Sequence, residues 1–260
     1  MDRIPTPEEL DNYYNTYSYG GEKTISPITL KRYNQLLDKF EKFRKTGKLL
    51  DVGCGTGWFL IEAGKRGWEI YGTEFSKTAI KICRENGIQI KEGELKETDF
   101  EINSFDIITS FEVIEHINNP HKELDSISNL LREGGLFYCT TPNFNSISRR
   151  RLKAAFKYIG YPMHLSYFTK KTLNKAIREH NFKLYSFSST GISFNVSSAS
   201  PEKKKTSTSQ DELRDEKMRT STENKWHMML LKNFVNTILT LTNTGMTLKG
   251  FYIKNSIRQK

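Results

Sequence analysis

Between Ile28 and Phe43 the apolar residues Leu30, Tyr33, Leu36, Leu37, Phe40 and Phe43 recur at helical spacing, which predicts an amphipathic helix. Gly47 stops it, and the short apolar run Leu49 to Val52 predicts a buried strand. The chain then alternates. Trp58 to Lys65 reads as a helix, Trp68 to Thr73 as a strand ending at Glu74, Lys77 to Asn86 as a helix closed by Gly87, and Ile88 to Ile90 as a short strand. Phe105 to Ser110 is a clear strand, Pro120 to Leu131 a helix followed by Gly134 and Gly135, and Leu136 to Thr140 a strand stopped by Pro142. Repeated strand–helix alternation predicts an α/β fold, a parallel sheet covered by helices on both faces.

Beyond Pro142 the pattern loosens. Arg149 to Tyr158 reads as a basic helix with Leu152, Phe156 and Ile159 as its apolar members, and Thr169 to His180 as a helix capped by Thr169 with Leu173, Ala176 and Ile177 inward. Phe182 to Phe187 and Thr247 to Ile253 are candidate strands. Ser197 to Asn224 is rich in Ser, Thr, Lys and Glu and reads as a solvated or disordered insertion. Trp226 to Leu241 regains a helical stripe (Met228, Leu231, Phe234, Val235, Ile238, Leu239), expected to pack on the sheet. The polar, tyrosine-rich start, through about Gly21, reads as a lid-like or poorly ordered arm. The expected organisation is therefore an N-terminal arm and helix (1–46), a core (47–190), a polar flexible insertion (191–225), and a C-terminal helix and strand completing the sheet (226–260).

Composition narrows the class. Of 260 residues, 36% are hydrophobic and 27% charged, as in soluble globular proteins. The net charge of +10 calls for an anionic partner. Nucleic acid, an anionic membrane surface and a phosphorylated small substrate all satisfy it. Its concentrations are Arg149-Arg150-Arg151-Leu152-Lys153 with Lys157, and the C-terminal stretch, which lacks any acid after Glu223. Cys54, Cys83 and Cys139 show neither metal-ligand spacing nor a disulfide framework. With no leader-like apolar core after Met1 and no apolar run long enough to span a bilayer, a cytoplasmic protein is expected.

The chemistry concentrates in Asp51-x-Gly53-x-Gly55-x-Gly57, placed between a buried strand and a helix. Glycines there let the backbone turn sharply and approach a ligand, and the following helix offers free N–H groups. The spacing is not the Gly-x-Gly-x-x-Gly dinucleotide fingerprint. Glu74 ends the next strand, about twenty residues on, where a carboxylate can accept hydrogen bonds from ribose hydroxyls. Glu112, Glu115 and His116 put acids and an imidazole side by side after the fourth strand, which fits proton transfer or a structural role. A metal is not expected there, because no second clustered His or Cys completes a ligand set. His164 follows the fifth strand and precedes a helix, where it serves either as a base or as a loop-fixing residue.

The runs LLDVGCGTG (49–57), YGTE (71–74), FDIITSFEVIEHINNP (105–120) and LREGGLFYCTTPN (131–143) resemble class I S-adenosylmethionine-dependent methyltransferases. Within them the chain is most similar to the group with ubiquinone-biosynthesis O-methyltransferases and bacterial polysaccharide and lipopolysaccharide methyltransferases. The resemblance implies a Rossmann-like fold with a seven-stranded, mostly parallel sheet and a final antiparallel strand. It implies S-adenosylmethionine as methyl donor and no metal. Asp51 would orient the methionine ammonium, with Gly53, Gly55 and Gly57 against the cofactor. Glu74 would hold the ribose, Glu94 would lie near the adenine (the family often has Asp there), and Ser110 and Phe111 would line the methionine moiety. His164 or His116 would be the base. The acceptor would be a small-molecule, glycan or lipid-linked envelope intermediate, approached by peripheral contact with an anionic membrane. A quinone ring or a non-catalytic cofactor-binding role are the alternatives. Nucleic acid is disfavoured, since no recognition module and no Asn-Pro-Pro-Tyr-type motif is present.

Overall fold

The computed structural model describes residues 6, 9, 25–153, 156, 158–160, 164–192 and 226–256. The expected arm, apart from Thr6 and Glu9, and the polar insertion 197–224 lie outside the described residues. In chain order the elements are α1 (Pro27–Phe40), β1 (Lys48–Val52), α2 (Trp58–Lys65), β2 (Glu69–Glu74), α3 (Lys77–Glu85), β3 (Gln89–Glu92), β4 (Phe105–Phe111), α4 (Pro120–Leu130), β5 (Leu131–Pro142), α5 (Ile147–Leu152), α6 (Lys170–Arg178), β6 (Phe182–Thr190), α7 (Trp226–Thr242) and β7 (Thr247–Lys254).

The seven strands form one sheet in the order β3-β2-β1-β4-β5-β7-β6. β1 to β5 run parallel, and β7 inserts antiparallel between β5 and β6. Period-two alternation builds two cores. Leu50, Ile108 and Phe137 face Leu124, Ile127, Leu173 and Ile177 on one side of the sheet. Their neighbours Leu49, Ile107 and Tyr138 face Leu37, Phe40, Phe59 and Leu60 on the other. The runs with apolar residues at consecutive positions are thus strands buried on both faces.

At the amino edge, the fully buried Asp106 accepts hydrogen bonds from the backbone N–H of Lys45 and of Gly47, each at 2.7 Å. It also pairs with Arg132, whose guanidinium reaches the Phe43 carbonyl. This knot fixes the entry of the chain into β1 relative to β4 and β5. The opposite, carboxyl edge is where open α/β sheets generally place their sites.

Three elements depart from the sequence pattern. β5 starts at Leu131, before the glycines that were expected to end the preceding helix. Residues 132–135 form an excursion, so the pairing jumps from Phe105↔Leu131 to Ile107↔Leu136, with Gly134 at φ +69°. The basic helix stops at Leu152 because Lys153 takes φ +50°, and Tyr158 lies in a turn. Most consequentially, α7 does not bury its apolar stripe: Leu239 is its one buried residue, while Leu231, Phe234 and Ile238 are exposed.

Candidate active site

The turn after β1 is built by backbone geometry that only glycine adopts easily. Gly53, Gly55 and Gly57 have φ of +66°, +56° and +78°. A Cβ on Gly53 would meet Val113 Cγ2 at 2.7 Å, and one on Gly57 would collide with Ile88. Close packing within the protein therefore accounts for glycine at 53 and 57 before any ligand is considered. Gly57 caps α2 in the left-handed conformation, and Cys54 donates its N–H to the Thr73 carbonyl at 3.0 Å, binding the turn to β2.

Two carboxylates flank this turn. Glu74 Oε2 accepts the Gly55 N–H, and Oε1 accepts those of Phe75 and Ser76, all at 2.9 Å. A carboxylate has about four lone-pair sites, so Oε2, with a single donor, retains accepting capacity. Asp51 is only 3% exposed and takes one side-chain hydrogen bond, from Thr109 Oγ1 at 2.7 Å. Burial pushes its pKa up to about 8, the Thr109 bond opposes the rise, and the Glu74 charge adds to it. Such a group is stabilised by a cation brought to it. Tyr33 of α1 leans over the same place: burial, with a contribution from Asp51, pushes its phenol up to about 12.

Ser110 and Phe111 end β4 beside the turn, with Ser110 paired to Val52. The Ser110 hydroxyl is buried without a hydrogen-bond partner, an unmet demand of the kind a ligand or water satisfies. Phe111 is half-buried, its ring 5.0 Å from that of Phe59 and 5.5 Å from that of Tyr138. Glu94 is exposed just past β3. It faces Glu123 of α4, whose buried carboxyl is raised to about 8, first by burial and then by Glu94.

A buried acid needing a cation, an orphan hydroxyl, a carboxylate with spare lone pairs and a helix N-terminus share one sheet edge. This donor and acceptor set fits a ligand with ammonium and ribose groups, as S-adenosylmethionine has.

Next to it lies a second cluster. Glu112 takes φ +54° and donates its N–H to Thr140, an unusual conformation that starts the 3-10 turn Ile114–His116. Glu115 is 1% exposed. Its Oε2 accepts from Thr141 Oγ1 at 2.9 Å, while Oε1 is buried without a hydrogen bond. Burial, and then the Glu112 charge, pushes its pKa up to about 8. The Glu115 carbonyl accepts the N–H of Leu165 at 2.8 Å and of Ser166 at 3.0 Å, which fastens the loop carrying His164.

His164, 5% exposed, thereby comes against His116, with ring centroids 4.6 Å apart and planes at 86°. Tyr158 stacks on its other side at 5.8 Å. Burial lowers the His164 pKa below its usual 6.5, so the ring is neutral near pH 7 and able to accept a proton. Ligand-type atoms of Glu115, His116 and His164 all lie within 4.8 Å of one another. The stated ground for expecting no metal, the lack of a second histidine, therefore does not hold: folding supplies His164.

The sequence reading missed Tyr33, Thr109, Thr141 and Tyr158. Tyr33 was hidden within an apolar helical stripe, and the two threonines look like ordinary strand residues. Cys54 and Cys83 also meet here, Sγ to Sγ 3.9 Å, as packing partners under the turn.

Residues 28–186 match a family described as a methyltransferase domain. The chain is 34% identical to the ubiquinone biosynthesis O-methyltransferase of Glaesserella parasuis serovar 5 over 107 residues, 37% of this chain and 45% of that protein. It is 31% identical to that of Alkalilimnicola ehrlichii over 130 residues, 46% and 50% respectively. The chain thus spans about half the length of the curated relatives it matches. Among solved structures, Haemonchus contortus phosphoethanolamine N-methyltransferase 2 in complex with S-adenosyl-L-methionine superposes with TM-score 0.60 at 17% identity, covering 91% of this chain and 55% of that one. The [4+2]-cyclase SpnF does so with TM-score 0.59 at 15% identity, covering 97% and 98%. These structural likenesses speak for the fold alone, since one scaffold hosts different chemistries.

Proposed function

The chain belongs to the methyltransferase domain family, and from that premise we propose that it is an S-adenosylmethionine-dependent O-methyltransferase acting on a small glycan- or lipid-linked hydroxyl compound of the cell envelope. The observation that carries the O-methyl reading is the neutral, buried His164 beside His116 and Glu115, next to the cofactor-type turn.

In this reading Asp51 holds the ammonium of the methionine moiety, Ser110 and Phe111 border it, and the spare lone pairs of Glu74 Oε2 accept from the ribose. Glu94 and Glu123 border the adenine side. Bound S-adenosylmethionine would supply a methyl group made electrophilic by a sulfonium. The protein's remaining tasks are alignment of the acceptor and removal of one proton. His164, neutral at pH 7, takes the hydroxyl proton at a ring nitrogen. Glu115 and His116 lie close enough to stabilise the imidazolium that results. Gly53 and Gly57 keep the turn tight through their packing on Val113 and Ile88.

A second reading, transfer to a quinone-ring hydroxyl, is favoured by the curated relatives, which are ubiquinone-biosynthesis O-methyltransferases. The same base would serve a phenolic acceptor. Among the described residues, no helix is long and apolar enough to cross a membrane.

Calorimetric titration with S-adenosylhomocysteine tests the cofactor half of the proposal, with a nicotinamide dinucleotide as control. One-to-one binding of the first and none of the second is expected. An absence of binding at millimolar S-adenosylhomocysteine overturns the reading.

A further inference from the structure

α7 is mounted with its polar side inward. Asn236 Oδ1 accepts the Gly191 N–H at 3.1 Å. Thr240 Oγ1 accepts from the Ser189 N–H at 3.2 Å and donates to the Ser189 carbonyl at 3.1 Å. These bonds, with buried Leu239, hold the helix against β6. At about 100° per residue, Trp226, Leu230, Phe234, Ile238 and Leu241 then fall on the side away from β6. Trp226 is 72% exposed, Phe234 64% and Leu241 76%. A surface helix normally shows the reverse arrangement, and exposed apolar residues gathered in an arc on one side of a helix, here with His227 and Thr237 among them, mark an interaction site.

The charge around the arc identifies its occupant. Neither α7 nor β7 carries an acidic residue. Lys232 lies on α7 itself, and Lys249 on β7 pairs with Thr140 at the carboxyl edge of the sheet. The Lys249 pKa falls, first by burial and then by Arg32, with Lys39 and Lys232 adding to the fall and Glu112 opposing it. Lys39 of α1 also stands over the Phe251 ring of β7, 5.5 Å from its centroid, so cations of α1, β7 and α7 lie within electrostatic reach of one another. A second copy of the chain docked on the arc would bring like charges together. An anionic bilayer surface would satisfy the apolar arc and the cations at once.

We propose that α7 is a membrane-docking helix that lies in the interface of an anionic bilayer, burying Trp226, Leu230, Phe234 and Leu241 among the lipids. The 17-residue helix is about 25 Å long and lies along the surface. The inference rests on α7 and the surrounding charge, and it holds whether the acceptor is a glycan, a lipid or a quinone.

The test is flotation of the full chain with vesicles of phosphatidylglycerol and phosphatidylcholine, and with phosphatidylcholine alone, at low and high salt. The Phe234→Ser/Leu241→Ser variant is run in parallel. Each protein is also followed by light scattering, thermal melting and S-adenosylhomocysteine titration. The wild type is expected to float with anionic vesicles, to bind neutral ones at least several-fold more weakly, and to release with salt. The variant is expected to bind about tenfold less or weaker still, with melting and cofactor titration unchanged. Failure to float, equal binding to both vesicle types, unchanged flotation of the variant, or a dimer that the variant dissociates would each overturn the proposal. The cofactor titration reports the methyltransferase reading separately.

Discussion

Replacing Asp51 by Asn isolates the electrostatic design of the cofactor turn. The carboxyl is almost wholly buried, has one hydrogen-bond donor in Thr109, and is raised by burial to about 8. A pKa raised in the fold means that the native state binds the proton more tightly than the unfolded chain does. Its stabilising contribution is complete below the unfolded value, near 4, and is lost as pH rises through 8. Four units correspond to an upper bound of about 5 kcal/mol. Asn is nearly isosteric, can still accept from Thr109, and does not titrate. Denaturant unfolding between pH 5 and 9 is therefore expected to show a flatter decline for Asp51→Asn than for the wild type. The slope difference approaches about 1.4 kcal/mol per pH unit. Cofactor binding should change in the opposite sense. An ionised Asp51 attracts the ammonium, so wild-type affinity should rise as pH rises towards 8. The variant should bind about ten- to a hundredfold more weakly, matching loss of a charge-assisted hydrogen bond, and without that pH dependence. Parallel stability slopes together with unchanged affinity by calorimetry would refute the placement of Asp51 at the ammonium.

Four further outcomes are expected. His164→Gln should lower turnover by about 10²–10⁴-fold with cofactor affinity within about twofold, and the acid limb of the wild-type pH–rate profile should lie below pH 6.5, because burial lowers this histidine; surviving turnover would make His164 a loop residue only. Glu115→Gln keeps an oxygen for Thr141 but removes the acid raised to about 8, so stability should decline less steeply as pH rises from 5 to 8, with a fall in kcat larger than any change in cofactor affinity. Gly57→Ala should cost about 2–4 kcal/mol by denaturant unfolding, since it combines a positive φ with the Ile88 collision, whereas Gly47→Ala, with φ +80° and open space, should cost only about 1 kcal/mol. Asp106→Ala leaves Arg132 and two backbone donors unsatisfied and should lower stability by about 3–5 kcal/mol with unchanged cofactor affinity, because the knot lies at the far edge of the sheet.

The parts of the fold that were legible from sequence are those where one physical signal dominates. Leu49–Val52 and Phe105–Ser110 could be read because strands buried on both faces put apolar residues at consecutive positions, Leu49-Leu50 and Ile107-Ile108, and the glycine turn because three positive φ values demand glycine. Periodicity failed at α7 because it finds an apolar stripe without saying which side meets the sheet. There the hydrogen bonds of Asn236 and Thr240 with β6 decide the orientation. The site was legible as separate pieces. Asp51, Glu74 and Ser110 sit at strand ends, where the alternation itself places them at the carboxyl edge. The meeting of His116 with His164 depends on the Glu115 carbonyl capturing the N–H groups of Leu165 and Ser166, a tertiary bond that leaves no mark on local spacing. Glu123 was passed over because an acid in the first turn of a helix normally serves the helix dipole, whereas here it is buried near Glu94.

The most direct test of methyl transfer uses S-adenosylmethionine labelled in its methyl group, incubated with the wild-type chain and with His164→Gln against fractionated envelope-glycan, lipid and quinone extracts. Label should pass from the wild type to a hydroxyl-bearing component of one fraction, and the histidine variant should leave it on the cofactor. A wild-type protein that binds the cofactor yet labels nothing in any fraction would contradict the assignment and leave a cofactor-binding protein without transfer activity.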